Sequence, residues 1–297
     1  MGRCPFKKGA RPRGLAPAAS SALSECRARR GFFKGTSPHF FLPLFSVLFL
    51  SSQPLFSQGH AKNIPWKVGE KFLYDIRWGL ITAGEASMEV QGIEEIQIST
   101  ATPQDKAKVY HIIATAHSTP FVDVFHKVRD KNESWLDVER WVTHRFEQHN
   151  QEGKYFLDQI VEYDWKKLKF HNLEEVKGRD PKIEEGILTV PAVDVLSSLY
   201  LTRTREFAVG DTFTLDVHSG RDWPLIVKVL KRETIEVDAG EFDCFLVEPF
   251  IRERGLFAQK GKKIQVWLTA DERKIPVLMK AEIFIGHIRA ELIKIKE

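Results

Sequence analysis

The stretch Phe72-Leu73-Tyr74-Asp75-Ile76-Arg77-Trp78 decides the fold class of this chain. Successive side chains of a β-strand point to opposite faces, so the aromatic and aliphatic residues of this stretch share one face. These residues are Phe72, Tyr74, Ile76 and Trp78. The stretch 86–91 repeats the alternation, because Ala86, Met88 and Val90 alternate with polar residues. The opening of the folded region is therefore predicted to be antiparallel β-structure.

Further strand-like runs continue the pattern to the C-terminus. They are residues 108–117, 128–136, 141–149, 154–165, 211–218, 224–237, 242–251, 263–269, 275–284 and 287–295. Turn-forming residues predict hairpin connections at Ala83-Gly84, Asp238-Ala239-Gly240 and Thr269-Ala270-Asp271-Glu272. No linker rich in Pro, Gly or Ser divides the chain, so residues 62–297 are predicted to form a single β-rich domain.

One segment has helical spacing instead. Val195, Leu199 and Thr202 recur at helical intervals, and Asp194 is suited to cap the first turn. We therefore predict a mostly β protein, with a single large antiparallel sheet curled into a β-roll or open barrel and one short packing helix at about 193–204. A closed sandwich or barrel is the alternative.

The charge of the chain is concentrated at its N-terminus. The 297 residues carry a formal net charge of +4, yet residues 1–61 contain nine Lys or Arg and one acidic residue. Residues 62–297 therefore carry −4. Proteins that bind nucleic acid use basic surfaces, so this composition excludes a nucleic-acid partner for the folded region.

The first 61 residues are predicted to be a leader with a signal peptide. An apolar h-region at 40–50 follows a basic stretch, and Gly59 and Ala61 supply the small residues of a cleavage site before Lys62. The run is too short for a membrane anchor and contains Pro43. We expect a periplasmic or secreted protein, cleaved near Ala61, with no transmembrane span in the mature chain.

The export route stays open between two alternatives. Arg29-Arg30 resembles a twin-arginine signal, whereas the strongly hydrophobic h-region favours the general route for unfolded chains. Residues 1–27 do not resemble an n-region, which suggests that the true start codon lies further downstream.

The sequence contains no recognisable catalytic motif. It has no Gly-x-Ser-x-Gly elbow and no phosphate-binding glycine loop. Cys244 is the only cysteine after the leader and is flanked by apolar residues, so it is predicted to be a buried, unreactive thiol. We therefore expect a protein that is not an enzyme, with no catalytic residues and no cofactor.

His117, Asp123, His126 and Asp130 form the densest titratable group. Imidazole and carboxylate groups bind zinc or iron, but this spacing matches no metal motif. Asp123 is better explained as the cap of a short turn, and no metal site is expected. A hydrolase that uses Asp123, His126 and His117 is the least favoured hypothesis, because no nucleophile accompanies them.

Two basic runs are candidates for contact with anionic lipid headgroups. They contain Lys166, Lys167, Lys169, Lys260, Lys262 and Lys263. Each cation near a charged membrane contributes about 1 kcal/mol to binding. The alternative is a solvated hairpin surface that protects edge strands from pairing.

Three stretches, taken in order, resemble the bacterial domain of unknown function 3108 family. They are residues 69–86, which contain Gly69-Glu70-Lys71-Phe72 and Ala83-Gly84-Glu85-Ala86, the helix 194–200, and the closing stretch 239–292. The closing stretch contains Val266-Trp267-Leu268-Thr269, Arg273-Lys274-Ile275-Pro276-Val277 and Ala290-Glu291-Leu292. The resemblance covers roughly residues 66–295 and implies an exported, β-rich bacterial protein without an assigned activity.

These observations favour a non-catalytic binding protein of the cell envelope. A lipid or other hydrophobic ligand would lie against the sheet, under the helix 193–204 as a lid. Since side chains alternate between the two faces of a strand, the positions assigned to the ligand-facing side give four candidate lining residues: Trp78, Met88, Phe242 and Leu246. The alternative is an envelope structural or assembly factor that pairs an edge strand with a protein partner.

Overall fold

A computed structural model describes residues 64–98, 105–251, 263–283 and 286–297. Within these ranges the chain forms fourteen strands and two helices. In chain order they are β1 Lys71–Trp78, β2 Ile81–Gln97, β3 Lys106–Ser118, α1 Pro120–Asp123, β4 Val128–Asp137, β5 Thr143–Glu152, β6 Tyr155–Asp164, β7 Lys169–Val176, β8 Lys182–Ile187, α2 Val195–Arg203, β9 Thr212–His218, β10 Asp222–Val237, β11 Gly240–Ile251, β12 Ile264–Thr269, β13 Pro276–Glu282 and β14 His287–Lys296.

All fourteen strands belong to one antiparallel sheet. Their spatial order is β8-β7-β6-β5-β4-β3-β2-β1-β14-β13-β12-β11-β10-β9. The sheet thus consists of two meanders, β1–β8 and β9–β14, joined by the pairing of the first strand with the last. In that seam Lys71 lies opposite Lys296 and Trp78 lies opposite Ile288.

The sheet is curled so that its two ends approach each other. The Tyr163 hydroxyl of β6 donates a 2.6 Å hydrogen bond to the carbonyl of His218 at the end of β9. The ring of Phe170 in β7 lies 4.4 Å from the His218 ring. Gly220 (φ +82°) fits against Gln159 and Asn172, where a Cβ atom would collide. The predicted β-roll or open barrel is therefore confirmed.

Helix α2 occupies the interior of this curled sheet. The side chain of Asp194 accepts hydrogen bonds from the Leu196 and Ser197 amides, which satisfies two unpaired donors of the first turn. Six of the nine helical residues are buried: Leu196, Ser197, Ser198, Tyr200, Thr202 and Arg203. The helix predicted at 193–204 lies where the sequence placed it.

An apolar core surrounds this helix. Trp66 packs edge-to-face against Tyr110 and Tyr200, with ring centroids 5.8 and 5.3 Å apart. Phe72, Tyr74 and the apolar residues of the neighbouring strands complete the cluster. Phe72 and Tyr74 therefore lie on the core, as the period-two pattern predicted, whereas Trp78 at the end of the same face is exposed.

Three details of the sequence prediction were wrong. Ala83-Gly84 is not a turn: Gly84 lies inside β2, so close to the His117 carbonyl that a Cβ atom would not fit. Strands β7 and β8 were missed, because inward positions such as Asn172 carry polar side chains that break the alternation. Helix α1 was also missed; it is a single turn capped by Thr119.

Candidate functional site

The four candidate lining residues do not lie together. Met88 in β2 and Leu246 in β11 are buried in the core, at 7% and 3% exposure. Phe242 is half-buried at the start of β11, and Trp78 is 44% exposed at the end of β1. None of the four borders either of the two clefts that the structure describes.

The candidate lipid-binding lysines are separated by the length of the strands. Lys166, Lys167 and Lys169 lie at the β6–β7 turn, whereas Lys263 precedes β12 at the opposite end of the strands. Lys166 pairs with Asp105 at 2.6 Å and Lys167 with Asp164 at 2.8 Å. Lys260 and Lys262 lie outside the described residues.

The buried interior contains two polar networks that hold α2. Arg203 donates to Glu70 at 2.7 and 3.1 Å, and both side chains are almost completely buried. Asp194 accepts from the Thr143 hydroxyl at 2.6 Å and from Ser134 at 2.5 Å. Burial raises the pKa of Asp194, although these donors counteract it. Within each network the polar groups are hydrogen-bonded to one another, which is typical of polar groups with a structural role.

One end of the sheet exposes a group of large apolar side chains, which we call the apolar end. Its members come from the β1–β2 turn and from α1: Trp78, Leu80, Ile81, Phe121, Val124 and Phe125. Leu80 is 99% exposed, and Phe125 and Val124 are 78% and 77% exposed. The Thr119 amide donates to the Ala83 carbonyl at 2.9 Å, so the two segments are neighbours.

Cations lie beside the apolar end. Lys127 lies four residues after the end of α1 and is exposed. Arg129 pairs with Asp123, and this hydrogen bond lowers the pKa of the Asp123 carboxyl. Arg289 donates to the Gly79 carbonyl at 3.3 Å in the β1–β2 turn. Exposed large apolar side chains on neighbouring segments, with cations beside them, are typical of an interaction surface.

The outer face of β4–β7 forms a second feature, a polar cleft of about 930 Å³. Trp135, Ile96 and Phe170 contribute apolar surface, but charged and imidazole side chains dominate its lining. These are Glu133, His144, Arg145, Glu147, Glu162, Asp164, Lys167, Lys169, His171 and Glu185. A cleft of this composition suits polar or charged ligands rather than a lipid chain.

Glu133, Glu147 and His149 converge beside this cleft, and we call them the β4–β5 cluster. One ligand atom from each lies within 4.8 Å of the other two. His149 Nε2 lies 3.3 Å from Glu147 Oε2, and His149 Nδ1 lies 2.7 Å from Asp158 Oδ1. The hydrogen bond to Asp158 raises the pKa of His149.

Neighbouring side chains fix the position of Glu133. His111 Nε2 lies 3.1 Å from Glu133 Oε1, and His111 Nδ1 lies 2.9 Å from Glu94 Oε1. The His111 ring stacks on Trp135 with centroids 4.5 Å apart. The Lys131 ammonium contacts the other oxygen of Glu133 at 2.8 Å.

His144 is the most buried imidazole that borders the cleft. Its Nε2 lies 2.8 Å from Asp137 Oδ2, whose other oxygen accepts from the amides of Glu139 and Arg140. Its Nδ1 is buried and has no hydrogen-bond partner among the described residues. His144 occupies a register shift between β4 and β5, where the chain carries one extra residue.

The titratable group noted in the sequence does not converge. His117 contacts Glu85 at 3.5 Å, whereas His126 lies beside Gly153 in the β5–β6 turn. Asp130 is partly buried, and burial raises its pKa to about 6. Cys244 is fully buried as predicted, and burial raises the pKa of its thiol to about 12.

The family model described as "Protein of unknown function (DUF3108)" matches residues 73–293. The chain belongs to this family. The resemblance noted in the sequence is therefore confirmed. No functionally curated protein is significantly similar in sequence to this DUF3108 member.

Solved structures show distant similarity to the DUF3108 chain. One is a beta-barrel-like protein of domain of unknown function DUF1849 from Brucella abortus, with 11% identity, a TM-score of 0.47, and coverage of 77% of this chain and 97% of that chain. Another is a predicted exported protein with a YmcC-like fold from Bacteroides fragilis, with 12% identity, a TM-score of 0.30, and coverage of 79% and 98%.

A third solved structure, a predicted lipoprotein from Parabacteroides distasonis, is 9% identical, with a TM-score of 0.30 and coverage of 78% of this chain and 97% of that chain. Among the described residues, the helices are too short and too polar to span a bilayer. The predicted signal peptide and the cleavage near Ala61 lie outside the described residues.

Sequence reasoning missed both the apolar end and the β4–β5 cluster. Leu80 and Phe125 lie in short connections that are far apart in the sequence, and only the fold brings them to one end. Glu147 and His149 are two positions apart in a strand, which places them on one face. Their partner Glu133 becomes visible only through the register of β4 and β5.

Proposed function

We propose that the protein is a non-catalytic exported protein that contacts the lipid surface of the cell envelope through its apolar end. The observation that carries this proposal is the exposure of six large apolar side chains on two adjacent connections. Tryptophan, phenylalanine and leucine beside cations are suited to the boundary between headgroups and acyl chains. In this proposal the lipid contacts the outside of the protein, whereas the sequence-based hypothesis has it lie against the sheet under the helix 193–204.

The packing of the interior supports this location. Met88 and Leu246 contact the core cluster, and α2 fills the space that the curled sheet encloses. The larger cleft is lined mainly by charged groups, which disfavours an apolar ligand there. At the apolar end a lipid can bind without any movement of Met88, Leu246 or helix α2.

Vesicle co-sedimentation tests the proposal. Protein consisting of residues 62–297, without the predicted leader and its apolar h-region, is mixed with vesicles of phosphatidylethanolamine and phosphatidylglycerol at roughly 7:3, the kind of anionic surface that attracts adjacent cations. Replacing Leu80 and Phe125 together by Ser removes two exposed apolar side chains and should weaken binding roughly tenfold or more. The matched control replaces Ile183 and Ile187 by Ser, which are 63% and 74% exposed in β8. Equal sedimentation of all three proteins would contradict the proposal.

A protein partner at the sheet edge is the second candidate function. Strand β8 is an edge strand, and its Ile183 and Ile187 are exposed. An exposed edge can accept an additional strand from another chain. This function predicts the opposite pattern: the Ile183 and Ile187 variant loses an in-cell crosslink to a partner, and the Leu80 and Phe125 variant keeps it.

A further inference from the structure

The register between β4 and β5 brings three potential metal ligands to one point on the outer face of the sheet. Glu133 lies directly opposite Glu147, and Lys131 lies directly opposite His149. Glu147 and His149 are two residues apart, so they share a face of β5. Adjacent strands of one sheet therefore hold a Glu, a Glu and a His at the distance of nearest neighbours.

The spacing of the ligand atoms suits a small divalent cation. Zinc binds imidazole nitrogen and carboxylate oxygen at about 2.0–2.2 Å, which gives a tetrahedral edge of roughly 3.3 Å. His149 Nε2 and Glu147 Oε2 are 3.3 Å apart. The third ligand atom, on Glu133, lies within 4.8 Å of both.

A second observation comes from the groups behind the ligands. Asp158 lies 2.7 Å from His149 Nδ1, and a carboxylate accepts, so Nδ1 carries a proton. Nε2 faces Glu147 Oε2 at 3.3 Å, and a metal ion bound between these two atoms would take the place of the Nε2 proton. Histidine ligands in metal sites regularly donate their second nitrogen to a carboxylate in this way. Behind the second ligand, His111 Nε2 lies within hydrogen-bond distance of Glu133 Oε1, at 3.1 Å.

Electrostatics also favours a cation at this position. Like charges directly opposite each other in a sheet are destabilising, yet Glu133 faces Glu147. Asp158, Glu94 and Glu162 add three further carboxylates around the cluster. Among the described residues, Lys131 contacts Glu133, Arg145 contacts Glu147 and Glu162, and the side chains of both cations are 40% exposed or more.

We propose that Glu133, Glu147 and His149 form a binding site for a divalent transition-metal ion of the zinc class. Three protein ligands leave one coordination position for water or a ligand in the polar cleft, where Glu147 and Glu133 are lining residues. Asp158 and His111 orient the ligands without touching the metal. The site is independent of the apolar end, which belongs to other strands and loops.

Zinc titration by calorimetry tests the proposal, with the metal alone as the probe. Full-length protein should bind one equivalent of Zn²⁺ that disappears in the His149→Ala and Glu147→Gln variants, with affinity lowered by more than about 100-fold. Asp158→Asn should weaken the same equivalent by roughly 10- to 100-fold, because it only orients His149. The matched control is His117→Ala, a half-exposed strand histidine that also contacts a glutamate.

Two results would overturn the proposal. One is an identical zinc titration in wild type, His149→Ala and Glu147→Gln. The other is equal loss in the His117→Ala control, which would place the ion elsewhere. Binding through cysteines and histidines of the leader is common to all variants and cancels in the comparison. Melting temperatures recorded without zinc verify that each variant is folded, and two different ligand substitutions keep the test valid if one of them unfolds.

Discussion

Arg203 is the largest side chain that the described core encloses completely. Its guanidinium pairs with Glu70 and lies 5.2 Å from the Phe72 ring and 5.3 Å from the Tyr200 ring. It also donates to the Arg273 carbonyl at 3.1 Å. This one residue therefore connects α2 to β1, to the segment before β1 and to the β12–β13 turn.

Replacing Arg203 by Met tests that connection. The substitution leaves Glu70 buried without its main partner, so the free energy of unfolding should fall by about 3–5 kcal/mol. Arg273→Met is the matched control: Arg273 contacts the same carboxylate at 3.5 Å but is 39% exposed, and its loss should cost less than about 1 kcal/mol. Urea denaturation at pH 7 measures both, and equal losses would contradict the expectation.

Asp130 predicts a pH dependence of stability. Burial and the nearby Glu152 charge raise its pKa from 3.8 to about 6 in the folded protein. The folded state therefore binds more protons than the unfolded state between these values, and this stabilisation is lost as the pH rises through about 6. Asp130→Asn removes the titration and keeps an acceptor for the Gln151 amide.

The Asn variant should match the wild type near pH 4 and become more stable than it above pH 6. Because Asp130 is only partly buried, we expect the free energy of unfolding to rise by about 1–2 kcal/mol above pH 6. Thermal unfolding across pH 4–8 measures it. Asp123→Asn is the control, since the Arg129 hydrogen bond lowers the pKa of Asp123 and a gain at high pH is not expected there. A constant difference across the pH range would refute the assignment.

At the scale of elements, α2 depends on the side chain that begins it. Asp194 accepts from two helix amides and from the hydroxyls of Ser134 and Thr143. Asp194→Ala should lower the free energy of unfolding by about 2–4 kcal/mol, because the cap is lost and the buried hydroxyls lose an acceptor. Asp194→Asn keeps one carbonyl oxygen and should lose about half as much. Urea denaturation distinguishes the two, and equal stability of Ala and wild type would contradict this role.

The elements that sequence reasoning predicted are those with a local signal. Helix α2 follows from Asp194 and the spacing of Val195, Leu199 and Thr202. Most strands follow from alternation, since one of their faces lies on the core. Strand β7 escaped prediction because Asn172 occupies an inward position against Gly220. The β4–β5 cluster escaped because Glu133 and Glu147 meet only through strand register, which no local pattern encodes.

At the scale of the whole molecule, the pairing of β1 with β14 holds the two meanders together. Ending the chain after Gly286 deletes β14 and leaves β1 and β13 without their shared neighbour. We expect the truncated protein to lose cooperative unfolding, because the core residues Tyr74 and Leu292 lie opposite each other in this seam. Thermal unfolding by circular dichroism and resistance to limited proteolysis measure the loss.

A circular permutant is the control for this truncation. Lys71 and Lys296 are opposite each other, so in a protein without the predicted leader a short linker can join residue 64 to Glu297 while new termini open at Gly153 in the β5–β6 turn. All fourteen strands remain, and the permutant should unfold cooperatively. A cooperative transition in the truncated chain would show that each meander folds alone.

The seam also sets the order of events during synthesis. Strands β1–β8 leave the ribosome first and can form hairpins one after another, but the free edge of β1 waits for the last ten residues of the sheet. Contacts that span almost the entire domain close slowly, and an unpaired edge invites aggregation meanwhile. The sheet therefore remains incomplete until β14 has been synthesised, and the free edge of β1 is open to other strands until then.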